Sequence, residues 1–218
     1  MAISTAIWSF ALVVGLLTLT PGLDTALILR TSALGRRRRA AGVVLGIQSG
    51  TLVWGALTSV GVTALLTASH VAYEALRYAG AAYLLWMGGR MILDTLRNRA
   101  AEEAEAPGAA ADDLVARGTD SLAAGWRQGT LTNLLNPKMG VFYVAVLPQF
   151  IPAGAPHFAT GLLLTGVHIV LGLLWSALLV AFAQVLRGWL QRPQARRLLD
   201  RITGTVITGF GVRLALSD

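Results

Sequence analysis

A succession of long apolar blocks, each carrying little charge, constrains this chain more than any other feature. They run near 4–29, 40–67, 73–96, 124–150, 157–186 and 198–216. A helix crossing the hydrocarbon core needs about 20 predominantly apolar residues, more than most soluble core helices supply in one run. Only 13% of the residues are charged and mean hydropathy is +0.62, where soluble domains carry about a quarter charged residues. The expected fold is an all-α integral membrane protein with six transmembrane helices. Several blocks exceed the required length, which implies tilt, interfacial ends or a break. The first and fourth contain residues that interrupt a helix.

A net charge of +7 would suit a nucleic-acid binder if the basic residues formed a stripe interleaved with aromatics. Instead they gather at block ends, as cytoplasmic anchors do, so the expected partner is the lipid bilayer and not nucleic acid. Arg30 and Arg36 to Arg39 flank the first connection, Arg97, Arg99, Arg117 and Arg127 the third, and Arg187, Arg192, Arg196, Arg197 and Arg201 the fifth. The second connection offers Arg77 with Glu74 close by, and the fourth has no Arg or Lys. This pattern places both termini outside. Met1 to Thr5 lack a basic n-region, so the first block is expected to stay as a signal anchor. Trp8, Trp126 and Trp189 fall near block ends, where the headgroup region suits an indole, while Trp54, Trp86 and Trp175 are expected to pack. The chain has no cysteine, hence no disulfide framework, thiol nucleophile or Cys-type metal site.

Residues 99–121 are rich in Ala, Glu, Asp and Gly and read as a flexible cytoplasmic linker. It separates a first three-helix repeat, 1–98, from a second, 122–218. The halves echo one another in order. Each opens with a helix breaker, Thr20-Pro-Gly-Leu-Asp24 or Asn136-Pro-Lys138. Each continues with a Gly-rich span bearing a Trp, Gly46 to Trp54 or Gly166 to Trp175, and then Arg77-Tyr-Ala-Gly80 or Arg201-Ile-Thr-Gly204. An odd number of spans per half makes the second repeat inverted, an architecture that lets two bundles alternate around a midplane site. Gly42, Gly46 and Gly50 stand at i, i+4, i+8, spacing that suits close helix contact within the chain or, equally, in a homo-oligomer.

The candidate substrate or coupling-ion pathway starts from the two breaks. In the first, Thr20, Pro21, Gly22, Asp24 and Thr25 combine a missing backbone donor, a permissive glycine and a carboxylate. A plain kink with Asp24 as a helix cap is the competing structural reading. In the second, Asn136 and Pro137 precede Lys138, the single lysine among 18 Lys and Arg residues. An anchor in this chain is written as arginine, whereas lysine is a compact charge whose protonation responds to its surroundings, and an ionisable group inside a membrane is a functional candidate. Asp24 and Lys138 are expected to pair or to share a polar cavity, one changing protonation during transport; a purely structural ion pair is the alternative. Gln48 and His168 are weaker pathway candidates, with Ser49 and Gln149 beside them.

Enzymatic signatures are thin. Ser49 and His168 make a poor match to a protease dyad, and there is no His-Glu-x-x-His motif, Walker loop or cluster of His and carboxylates, so neither catalysis nor a cofactor or metal is expected. Thr20-Pro-Gly-Leu-Asp24 running into Thr25-Ala-Leu-Ile-Leu-Arg30, and Asn136-Pro-Lys138 followed by Phe142 and Leu147-Pro-Gln-Phe150, resemble the signatures of the lysine exporter and threonine/homoserine exporter (LysE/RhtB) family. The resemblance covers essentially the whole chain. It implies a bacterial inner-membrane secondary transporter that exports amino acids or related small metabolites by proton antiport. Leu23 replaces the second proline usual in that family's Thr-Pro-Gly-Pro-Asp. An intramembrane enzyme or a non-transporting assembly subunit are the alternatives, the latter tolerating loss of Asp24.

Overall fold

A computed structural model describes residues 2–68, 70–96, 120–183, 185 and 192–216. The linker expected over 99–121 lies outside them apart from Asp120 and Ser121. The described elements are α1 (Ile3–Leu19), α2 (Leu23–Ala33), α3 (Arg37–Ala68), α4 (His70–Leu96), α5 (Leu122–Leu134), α6 (Pro137–Val146), a 3₁₀ turn (Leu147–Phe150), α7 (His157–Ala181) and α8 (Pro193–Leu216). They follow the apolar blocks but overrun them at charged ends: α3 includes Arg37 to Arg39 and α8 begins at Pro193. Hydropathy marks where an apolar run begins, whereas the backbone ladder continues through any residue able to hold helical angles.

Both breaks lie where proline places them. Pro21 has no N–H and restricts the residue before it; Thr20 accordingly adopts extended angles, φ −69° and ψ 119°, and α2 leaves α1 at 54°. Pro137 occupies the first turn of α6, the helical position proline tolerates best, after an extended Asn136.

Among the described residues two helical stretches, Arg37–Gly61 and His157–Ala181, are long and apolar enough to cross a membrane, and the bent pair α1–α2 makes a third. The sequence led us to expect six. α4 is less apolar because Glu74, Arg77 and three tyrosines interrupt it, and α8 carries Asp200, Arg201 and Arg213.

Small residues hold the bundle together. A methyl group on Gly42 would lie 2.1 Å from Leu122 O and one on Gly46 2.1 Å from Trp126 O, while methyls on Gly125 and Gly129 would each lie 2.2 Å from the carbonyl oxygens of Arg39 and Val43. The backbones of α3 and α5 therefore touch along two interlocking glycine rows, contact that lipid-embedded helices need because burial from lipid yields little hydrophobic gain. α3 meets α7 antiparallel: Gly55 faces the Thr165 hydroxyl, and Gly161 faces that of Ser59. α4 and α8 pair likewise, Gly88 against Thr208 and Gly211 against Leu85.

One apolar core joins α1, α6, the 3₁₀ turn and α7, with the ring of Phe10 edge-on to Phe150 at 5.3 Å and Phe142 edge-on to Tyr143 at 5.8 Å. A second gathers Leu27, Ile28, Val43, Ile47 and Leu179. Large apolar side chains also cover the outside, Leu57, Val60, Leu174 and Leu178 among them, as a lipid-facing surface requires. Trp54 packs inward as expected, onto Gly140. Trp86 does not: it is 56% exposed, beside Tyr83 and under the Arg90 guanidinium at 5.6 Å.

Candidate functional site

The helix breaks converge on one cavity whose walls mix polar with apolar side chains. Its lining includes Thr20, Gly22, Asp24 and Thr25 from the first break, Gln48 and Thr51 from α3, Asn133 from α5, Asn136 and Lys138 from the second break, and His168, Trp175 and Ser176 from α7. Eight of the ten residues singled out in the sequence thus face a common space. Pro21 and Pro137 do not line it and act by breaking the helices.

Asp24 and Lys138 share this cavity but take other partners. One carboxylate oxygen of Asp24 accepts from Asn133 Nδ2 at 2.8 Å, and the same amide is 3.4 Å from the Thr51 hydroxyl. Lys138 Nζ donates to the carbonyls of Leu17 at 3.1 Å and Thr20 at 3.4 Å, groups that the end of α1 leaves without helical partners. The lysine of the second half thereby caps a helix of the first. Its backbone N–H is held by Asn136 Oδ1 at 3.1 Å. The Thr20 hydroxyl meets that of Thr203, so α8 also reaches the first break.

His168 is buried on α7, its Nδ1 bonded to the Tyr143 hydroxyl at 2.9 Å with the two rings stacked. Gln48 lies where α3 crosses α7, its amide 3.0 Å from where a Cβ on Gly172 would stand. Ser49 is engaged elsewhere, donating to Leu45 O and accepting from Trp126 Nε1 at 3.0 Å, and forms no dyad with His168.

Asn133 is the residue that sequence reasoning missed. It is fully buried, holds Asp24 in place, fits against Gly50, and its carbonyl oxygen accepts from Trp54 Nε1 at 3.3 Å. Its signal was present: an amide one helical turn before Asn136, inside an apolar block. Thr51 could have been found similarly, three residues after Gln48 on the same helix face.

Residues 15–218 match the family model described as LysE type translocator. The chain is 31% identical over 210 residues to the homoserine/homoserine lactone efflux protein of Salmonella typhi, covering 95% of this chain and 96% of that one. It is 27% identical to the leucine efflux protein of Enterobacter sp. (strain 638), over 95% of this chain and 94% of the relative. Against the leucine efflux protein of Klebsiella pneumoniae, identity is 29%, over 90% and 88%. No solved structure matches the chain.

Proposed function

The chain belongs to the LysE type translocator family, a membrane transporter and not an enzyme, and on that premise we propose that it exports α-amino acids or their close derivatives from the bacterial cytoplasm by alternating access. The compounds named for its relatives, homoserine, its lactone and leucine, all carry a primary α-amine; the lactone has no free carboxylate. A substrate class built around that amine follows. The site comprises Thr20, Gly22, Asp24, Thr25, Gln48, Asn136, Lys138 and His168, with Pro21 and Pro137 making its breaks.

One observation carries this reading: a cavity lined from both halves of the sequence holds a carboxylate and an ammonium that are not bonded to one another. A static ion pair would have matched them. Separated charges leave each free to exchange partners with a solute or a proton, and coupling to the proton gradient through Asp24 or Lys138 completes the proposal.

Six spans in two inverted repeats, 1–98 and 122–218, belong to the same reading, with the connections rich in arginine in the cytoplasm and both termini outside the inner membrane. The antiparallel contact of α3 with α7, the corresponding second spans of the two halves, supports it, since a two-fold axis in the membrane plane sets equivalent helices antiparallel. Reconstituted liposomes test the function: an imposed pH gradient should drive uptake or release of at least one amino acid, and Asp24→Asn and Lys138→Ala should each abolish that flux at equal expression. Normal flux in both variants removes these residues from the mechanism.

A further inference from the structure

Buried polar atoms in native proteins are nearly always bonded, so one left unpartnered on the wall of a cavity is a candidate contact for whatever enters it. Among the described cavity residues, three side-chain atoms are buried without a partner: Asp24 Oδ1, Asn133 Oδ1 and Trp175 Nε1. Asn133 Oδ1 has a local explanation, because it lies against Gly50, where a Cβ would stand 2.6 Å away. Neither of the other two makes a hydrogen bond, although the Asn136 side chain and Lys138 lie close to the Asp24 carboxylate. One is an acceptor on a carboxylate and the other a donor that accepts nothing.

Resting on the exporter reading and going beyond it, we propose that Asp24 Oδ1 receives the primary ammonium of the substrate and that Trp175 Nε1 donates to its carbonyl or carboxylate oxygen. Asn133 is then a positioning residue. Its amide holds Asp24 Oδ2 at 2.8 Å, which turns the other carboxylate oxygen toward the ligand. The α2 N-terminus supports the same arrangement, because its N-cap residue, Gly22, has no side chain to cap the first turn. Its free amides favour an anionic or carbonyl group beside the ammonium. An ester or lactone satisfies this pair of contacts as well as a free acid does, since it keeps both the ammonium and the carbonyl oxygen. A carboxylic acid without the amine leaves Asp24 Oδ1 buried and unmatched.

The test uses the full chain in proteoliposomes, screened for counterflow of the common radiolabelled L-amino acids and L-homoserine. If none moves, the exporter reading falls and this inference falls with it. For an amino acid that moves, two unlabelled competitors decide: its primary amide, and the carboxylic acid lacking the α-amine. The amide should compete within about tenfold of the parent and the des-amino acid at least about 100-fold more weakly, because a site built around a donor rejects the analogue lacking it. A des-amino acid that competes within tenfold, or an amide as weak as the des-amino acid, overturns the proposal and leaves the exporter standing. Replacing sodium and potassium by choline should change nothing; loss of counterflow would assign Asp24 Oδ1 to an inorganic cation instead. Trp175→Phe should raise the half-saturation concentration about tenfold, as expected for one lost hydrogen bond, with the preference for the amine intact. An unchanged half-saturation removes Trp175 from recognition. The competitor comparison on the unmodified protein needs no variant, so it holds even if a substitution disturbs folding.

Discussion

The two helix breaks share a proline and sit in corresponding places, yet they are finished in opposite ways. At the second, the helix start is closed locally: Asn136 caps the Lys138 N–H and Pro137 fills the first helical position, while Trp54 of the first half bonds the Asn133 carbonyl in the last turn before the break. At the first, Gly22 leaves the N-terminus of α2 uncapped, and the last carbonyls of α1 depend on Lys138 from the other half. Charge placement sharpens the contrast. Asp24 lies in the first turn of α2, where the helix dipole favours an anion. Lys138 lies in the first turn of α6, where its own dipole disfavours a cation by about 0.3–1 kcal/mol, while its ammonium reaches the C-terminal end of α1, where a cation is welcome. The lysine is badly placed for its own helix and well placed for its neighbour's. On the exporter reading proposed above, the closed break is the scaffold and the open one the part that changes partners.

The strongest challenge to that division is Lys138→Met, which keeps the stem and deletes the charge. With the Leu17 and Thr20 carbonyls uncapped at the break, amino-acid counterflow should fall about 100-fold or more, the consequence of stranding buried acceptors and removing an intramembrane charge together. Lys138→Arg should not restore it, because a planar fork fitted to carboxylates replaces a compact ammonium seated between two carbonyls. Full activity in the arginine variant would reduce the lysine to a generic positive charge.

How much of this was legible in the sequence depends on the kind of information each residue carries. Proline acts locally, so Pro21 and Pro137 announced both breaks within a residue. A lysine alone among arginines stood out by composition, and Gly42, Gly46 and Gly50 declared a packing face by spacing, which α5 occupies. What the sequence did not carry was pairing. Asp24 and Lys138 looked like partners because their charges are opposite, but hydrogen-bond geometry gave Asp24 to the Asn133 amide and Lys138 to backbone carbonyls, which are no different in type from those of every other residue. Trp86 failed for a related reason: an indole suits a packed interior and a membrane surface equally, and only the rotation of α4 decides between them.

A smaller effect tests the closed break. Asn136→Ala removes the cap on the Lys138 N–H and should cost about 1 kcal/mol of stability, the usual value for a lost N-cap. If the second break is scaffold, thermal unfolding in detergent should move down while the half-saturation concentration for a transported amino acid stays within about threefold, the change expected when only a supporting contact is lost. A large rise in half-saturation with unchanged melting would place Asn136 in direct contact with substrate and erase the distinction drawn between the breaks.

The smallest expected change is the most discriminating, because it closes the open break. Gly22→Ser adds a hydroxyl at the N-cap of α2, where the backbone is already extended at φ −154° and a Cβ meets nothing within 4 Å. A serine cap is worth only a few tenths of a kcal/mol more than glycine, so melting should rise by about 1 °C. Transport should respond in the other direction. An internal cap competes with the solute for the first-turn amides of α2, so the half-saturation concentration should rise about twofold, in line with a few tenths of a kcal/mol of lost differential binding. Gly22→Ala supplies the control: it fills the same space without an acceptor, so it should not add the cap and should leave the serine-specific rise absent. If both variants transport alike, the uncapped turn is an accident of the proline break; if serine alone weakens binding while stabilising the fold, the first break is left open because the substrate completes it.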